Sequence, residues 1–171
     1  AGWFNKTPLA LIGHSAGGAI ALEAAVALQQ AGKPPALVVL LDAVPWPATC
    51  DVAAGFDLRA SRLVSLRAEP SAWNMQGMIA EALQRIASPP TGSQGIVDLR
   101  LPGARHGDPL ETSWALRLLG LFGTGQEPMQ RLLQAYLAEA LGLTMAPPPR
   151  ELLQQMVSTS EVEVLGAADR Q

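Results

Sequence analysis

The stretch PLALIGHSAGGAIALEAAVALQQAGKPPALVVLLDA, residues 8–43, carries the residue pattern of a strand, a helix and a second strand. Residues 8–12 form a short apolar run before a glycine, which is typical of a strand buried in a parallel sheet. Residues 16–31 carry apolar side chains at helical spacing, and Gly32 with the prolines beyond it ends the helix. The apolar run at 36–43 predicts the second strand. The three elements therefore predict a βαβ unit.

The remainder of the chain continues this alternation. Further elements are predicted as strands at 62–69 and 96–103, and as helices at 71–87, 110–121, 127–142 and 150–157. Ser71 is a candidate N-cap for the first of these helices, and residues 44–57 are interpreted as a loop. The order of elements predicts an α/β fold, with a parallel sheet flanked by helices on both faces. Residues 1–145 are assigned to one domain, and residues 146–171 are interpreted as a C-terminal tail.

Composition excludes several classes of function. The chain has 171 residues, of which 49% are hydrophobic and 16% are charged, so it is globular and not disordered. Its net charge of -3, without clustered Lys or Arg, gives no indication of a nucleic-acid partner. No apolar run reaches the length of a membrane span. The single cysteine, Cys50, excludes an internal disulfide and is interpreted as a bystander.

No cofactor or metal ion is expected, because the sequence has neither metal-ligand spacing nor a dinucleotide or P-loop motif. The compartment and the oligomeric state stay open. Because the chain enters a buried strand within a few residues of Ala1, we expect it to lack the N-terminal strands of its fold.

The motif at residues 13–17, GHSAG, matches the pattern G-x-S-x-G. In such a motif the chain turns sharply from a strand into a helix. Ser15 is expected at the apex of the turn, with its hydroxyl beyond the carboxyl edge of the sheet. We expect glycine at positions 13 and 17 because a side chain at either would collide with a neighbouring element. The Ala16 N–H, at the start of the helix, is a candidate oxyanion donor.

A serine nucleophile needs a base, and the chain has two histidines. His14 directly precedes Ser15, so its side chain is expected to point elsewhere and to shape the substrate pocket. His106 follows a predicted strand end and is therefore the candidate base. For the acid that orients it, Asp42 ranks first because it ends the strand after the serine helix, and Glu69 is the alternative.

Asp108 is too close to His106 in sequence to approach the imidazole from behind. Trp46 and Trp73 follow strand ends and are candidates for lining an acyl pocket or for ordinary packing.

With these residues the sequence resembles the α/β-hydrolase family. Residues 8–43 look like the thioesterase domains that release products from polyketide and nonribosomal peptide assembly lines. The resemblance implies Ser15 as nucleophile, Asp42 as acid and His106 as base. It also makes residues 1–145 the C-terminal part of an α/β-hydrolase domain. The strands before the nucleophile strand and the loop with the second oxyanion donor have no counterpart here, and 44–61 is short for a thioesterase lid.

The sequence thus predicts a serine hydrolase that cleaves a small-molecule ester or thioester through an acyl-enzyme. The alternatives are an acyltransferase or assembly-line thioesterase of the same fold, and a truncated or non-catalytic module with that fold.

Overall fold

A computed structural model describes residues 8–74, 76–86, 95–109, 126–143 and 147–165. The described strands are β1 (Ala10–His14), β2 (Leu37–Leu41), β3 (Arg62–Arg67), β4 (Ile96–Arg100) and β5 (Glu163–Val164). The described helices are α1 (Ala16–Gln30), α2 (Pro47–Ala53), α3 (Gln76–Arg85), α4 (Gln126–Ala140) and α5 (Pro149–Ser158). The predicted helix at 110–121 lies outside the described residues.

The strands lie in one sheet in the order β1-β2-β3-β4-β5. Strands β1 to β4 are parallel, and β5 pairs antiparallel with β4. Helices α1 and α3 connect successive parallel strands, so the predicted α/β fold with a parallel sheet flanked by helices is confirmed. In the register, His14 pairs with Leu41 and Leu41 pairs with Leu66, which aligns the carboxyl ends of β1, β2 and β3 at one edge.

Both faces of the sheet are buried, as expected for parallel strands covered by helices. Alternate residues of β2 face opposite sides, because successive side chains of a strand point in opposite directions. Leu37, Val39 and Leu41 pack into one core with side chains of α4 and α5. Val38 and Leu40 pack into the other core with side chains of α1, α2 and α3.

Two predicted elements differ from the structure. The stretch 44–57, predicted as a loop, contains α2, which has Pro47 in its first turn, where proline is compatible with a helix. The predicted helix at 71–87 begins only at Gln76, and Ser71 is not its N-cap. Ser71 instead forms an isolated β-bridge with Asn74, whose side-chain oxygen accepts a hydrogen bond from the Ser71 N–H at 2.8 Å.

Part of the segment predicted as a C-terminal tail packs against the sheet. Leu152 and Met156 of α5 and the nearby Val162 belong to the core that lies under α4. Strand β5 extends the sheet beside β4 through register pairs such as Leu99 with Val164. Within residues 147–165, the chain is therefore continuous with the folded unit.

Candidate active site

The turn between β1 and α1 holds Ser15 in an unusual backbone conformation. Its φ of 55° and ψ of -129° lie where residues with a Cβ are rarely found, and such geometry costs on the order of 1–3 kcal/mol. Three backbone hydrogen bonds hold it there. The Ser15 N–H donates to Leu41 O at 3.1 Å, and the Ser15 carbonyl accepts from the N–H groups of Gly18 at 2.9 Å and Val44 at 3.0 Å. The turn is thus tied to β2 on both sides.

Close packing in this turn requires glycine at 13 and at 18. A Cβ on Gly13 would lie 2.1 Å from the Gly17 carbonyl oxygen, and a Cβ on Gly18 would lie 2.5 Å from the Ala43 Cβ. A Cβ on Gly17 would meet nothing within 4 Å. The expectation that the second glycine of the motif avoids a collision is therefore wrong. The helix leaves position 17 open and turns position 18 toward β2.

The structure brings Ser15, His106 and Asp42 into one hydrogen-bonded chain. The Ser15 Oγ lies 3.0 Å from His106 Nε2, and His106 Nδ1 lies 2.6 Å from Asp42 Oδ2. A carboxylate can only accept, so Nδ1 carries the proton and Nε2 is left to accept from the hydroxyl. The His106 side chain is 15% exposed and that of Asp42 is 1% exposed. The arrangement meets the geometric requirement for a base oriented by an acid and aimed at a nucleophile.

Asp42 follows β2 directly, with a positive φ of 42° that ends the strand. Besides His106, three groups donate to its carboxylate. The Ala68 N–H donates to Oδ1 at 3.0 Å, the Asn74 amide donates to both oxygens at 3.0 and 3.2 Å, and the Gln76 amide donates to Oδ1 at 3.2 Å. These donors replace the water that a buried carboxylate has lost, so they hold it in one orientation.

Sequence reasoning missed Asn74 and Gln76 as parts of this site. The Asn74 amide also donates to the Glu69 carbonyl at 2.9 Å, and the Gln76 amide donates to the Ala68 carbonyl at 3.1 Å. The segment after β3 thereby folds back over Asp42. No motif marks the two residues, because their role comes from this reversal of the chain and not from their spacing.

The other two candidate carboxylates, Glu69 and Asp108, accept hydrogen bonds from the backbone of the segment that carries His106. Glu69 Oε1 accepts from the Gly103 N–H at 3.3 Å, and no hydrogen bond joins it to His106 in the described part of the chain. Asp108 is fully buried, and its Oδ2 accepts from the Arg105 N–H at 2.9 Å. Both side chains support the segment that carries His106, and the imidazole is contacted by Asp42.

His14 contacts His106 and not the hydroxyl of its sequence neighbour. Its Nε2 lies 2.7 Å from the His106 carbonyl oxygen, and the two rings are 4.8 Å apart, tilted by 38°. Burial lowers the pKa of His14, and the hydrogen bond to the His106 carbonyl opposes that shift in part. His14 is therefore neutral near pH 7.

Ala16 is the first residue of α1 and is exposed. The first N–H groups of a helix have no acceptor within the helix, and the helix dipole makes this end favourable for negative charge. Ala16 directly follows Ser15 at this end of the helix, and its use as an oxyanion donor stays a prediction.

In the described part of the chain, the remaining candidates form no hydrogen bond or ring contact with Ser15, His106 or Asp42. Trp46 precedes α2 and is 38% exposed, and Trp73 is 65% exposed in the turn after β3. Within the described residues, neither indole forms a hydrogen bond or ring contact with Ser15 or His106. Cys50 is buried in α2, where its thiol lies 3.6 Å from the Met78 carbonyl, and desolvation raises its pKa.

The described residues contain neither a candidate metal site nor a candidate membrane-spanning helix. No group of three or more His, Cys, Asp and Glu side chains in these ranges could hold a metal ion. Among the same residues, no helix combines the length and the apolar character that crossing a membrane requires.

Comparison with known proteins points to one family. The family model for the thioesterase domain matches residues 3–54, a stretch that contains Ser15, α1, β2 and Asp42. Neither the curated proteins nor the solved structures gave a significant match. The match suggests hydrolysis of an ester or thioester, or a related activity. We conclude that residues 3–54 are similar to a thioesterase domain and that the described chain has the mostly parallel sheet of an α/β fold.

Proposed function

We propose that the chain is a serine hydrolase that cleaves an acyl thioester or ester through an acyl-enzyme on Ser15. The observation that carries the proposal is the chain of two hydrogen bonds, 3.0 Å from Ser15 to His106 and 2.6 Å from His106 to Asp42. The positive φ of Ser15 is the second support, since it aims the hydroxyl away from the sheet at the carboxyl edge.

In the first half of the reaction, His106 Nε2 takes the hydroxyl proton while Ser15 Oγ forms a bond to the carbonyl carbon. The electron pair of the C=O bond moves to oxygen, and the Ala16 N–H stabilises that oxyanion. Asp42 accepts from Nδ1 of the protonated imidazole and offsets its charge. The oxyanion then collapses, the bond to the leaving thiol or alcohol breaks, and His106 gives the proton to the leaving group.

In the second half, water replaces the leaving group. His106 takes a proton from that water as its oxygen attacks the acyl carbon, and the proton passes to Ser15 Oγ when the acyl–Oγ bond breaks. The products are a carboxylic acid and a free serine. An alcohol or amine in place of water would give acyl transfer by the same steps. The thioesterase match favours a thioester as the first substrate class to test.

The experiment is labelling of the full chain with a fluorophosphonate probe, which reacts with activated serines. We expect one label on Ser15 of the wild-type chain and none on the Ser15→Ala chain. Before labelling, only the wild-type chain should hydrolyse butyryl thiocholine, a simple acyl thioester, and labelling should abolish that activity. Circular dichroism would show that both chains are folded. A folded chain that neither takes up the probe nor cleaves the thioester would refute the proposal and favour a non-catalytic module. Release of an acylated alcohol in the presence of added glycerol would instead assign acyl transfer.

A further inference from the structure

We infer that His14 is a positioning residue, which fixes the segment that carries His106 relative to the strand that carries Ser15. The inference rests on the proposed function, in which His106 is the base. The sequence pattern predicts that His14 shapes the substrate pocket. Its contacts point instead to the other histidine of the chain.

The first contact is a hydrogen bond to the backbone of the base. His14 Nε2 lies 2.7 Å from the His106 carbonyl oxygen. A carbonyl oxygen can only accept, so His14 carries its proton on Nε2 and donates it. The bond joins residues 92 positions apart in the chain. It therefore ties the loop after β4 to the end of β1, three strands away in the sheet.

The second contact is between the rings. The imidazole of His14 lies 4.8 Å from that of His106, tilted by 38°. One side chain thus contacts both the backbone and the imidazole of the same residue, so it restricts the segment and the ring together. Glu69 and Asp108 also hold this segment, but their bonds go to the N–H groups of Gly103 and Arg105. Among the described contacts of these three side chains, those of His14 reach His106 itself.

The charge state of His14 agrees with this role. Burial lowers its pKa, so it stays neutral when the imidazole of His106 takes a proton in the reaction. The charged groups that act on it are His106, which lowers its pKa further, and Asp42, which raises it. A neutral ring beside His106 avoids the repulsion that a second imidazolium would create.

The test separates the two contacts with two variants. His14→Phe keeps a ring beside His106 and removes the donor, whereas His14→Gln keeps an amide donor and removes the ring. We expect kcat for butyryl thiocholine to fall roughly 10- to 100-fold in His14→Phe, the range that small misplacements of a reacting group produce. KM should change less than twofold, and His14→Gln should recover part of kcat. A raised KM with unchanged kcat would overturn the inference in favour of substrate binding.

A second measurement reads positioning without activity. Because the chain has two histidines, His14→Phe leaves His106 as the only one, and its ring signals in a ¹⁵N-histidine spectrum are assigned directly. We expect a sharp Nδ1–H proton of His106 in the wild-type chain, and a broadened or lost one in a folded His14→Phe chain. An unchanged Nδ1–H signal together with unchanged kcat would refute the positioning role. If the wild-type chain shows no fluorophosphonate labelling, the proposed function fails, and the spectrum still decides whether His14 orders His106.

Discussion

Alanine substitutions at Gly13 and Gly17 should have opposite effects on stability, although both glycines belong to one pentapeptide. A Cβ at position 13 would lie 2.1 Å from the Gly17 carbonyl oxygen and 2.7 Å from the Gly18 Cα, where ordinary contact begins at about 3.4 Å. The obstructing atoms are backbone, so no side-chain rotation relieves the clash. Helix α1 would have to move away from β1. A Cβ at position 17 meets nothing within 4 Å.

The magnitudes follow from these distances. Overpacking costs about 1–3 kcal/mol, and we expect the upper end for Gly13→Ala because it displaces backbone. Gly17 lies in the first turn of α1, so alanine there should stabilise by roughly 0.5–1 kcal/mol. For a chain of this size, each kcal/mol shifts Tm by about 2–4 °C. Gly13→Ala should therefore lower Tm by about 6–12 °C, while Gly17→Ala should raise it by about 1–4 °C.

The assay is thermal unfolding followed by far-ultraviolet circular dichroism, with both variants and the wild-type chain in the same buffer. Equal Tm values for the two variants would refute the reasoning, because the distances then would not describe the packing of the turn. A fall in Tm for Gly17→Ala as large as that for Gly13→Ala would show that both glycines have the role expected from the sequence pattern.

Three further predictions follow from the site. Asp42→Asn should lower the fluorophosphonate labelling rate by roughly 10²- to 10⁴-fold, because an amide favours the wrong tautomer of His106, whereas Glu69→Gln should change it less than about threefold; the reverse order would make Glu69 the acid. Because burial lowers the pKa of His14, stability should fall as pH drops below its ordinary value of about 6.5 toward the lower folded value. The fall in Tm on acidification should be smaller in His14→Phe, and an equal fall would contradict that. Cys50, buried with a raised pKa, should react with a disulfide reagent only on unfolding, and fast reaction of the native chain would contradict its burial.

The sequence by itself determined the fold class and the β1-α1-β2 unit, because these depend on local patterns. A continuous apolar run between breakers reads as a buried strand whatever lies around it, and helical spacing persists over the four turns of α1. The G-x-S-x-G motif likewise fixes where a serine stands on the turn. The ranking of Asp42 above Glu69 also came from the sequence, since β2 follows β1 and α1 directly and consecutive strands usually lie side by side.

Tertiary structure decided the contacts that join distant segments. Asn74 and Gln76 reach Asp42 because the chain reverses after β3. The hydrogen bonds to Asp42 stabilise this reversal, and α3 begins only after it, at Gln76. The apolar spacing in residues 71–87 does not indicate such a reversal, so the predicted helix began several residues before the observed one. The same reason applies to α5, which packs into a core built by residues far away in sequence, and to β5, which pairs with a distant sheet edge.

The role of His14 shows the difference most directly. Its position in the sequence associated His14 with Ser15. In the folded sheet, however, its ring lies against His106, which is 92 residues away in the chain. The tertiary structure also decided which positions of the turn must be glycine. In α1, position 17 has space for a Cβ, whereas position 18 packs directly against Ala43. Local patterns specify elements, and the free energy of long-range packing and hydrogen bonding specifies which side chains meet.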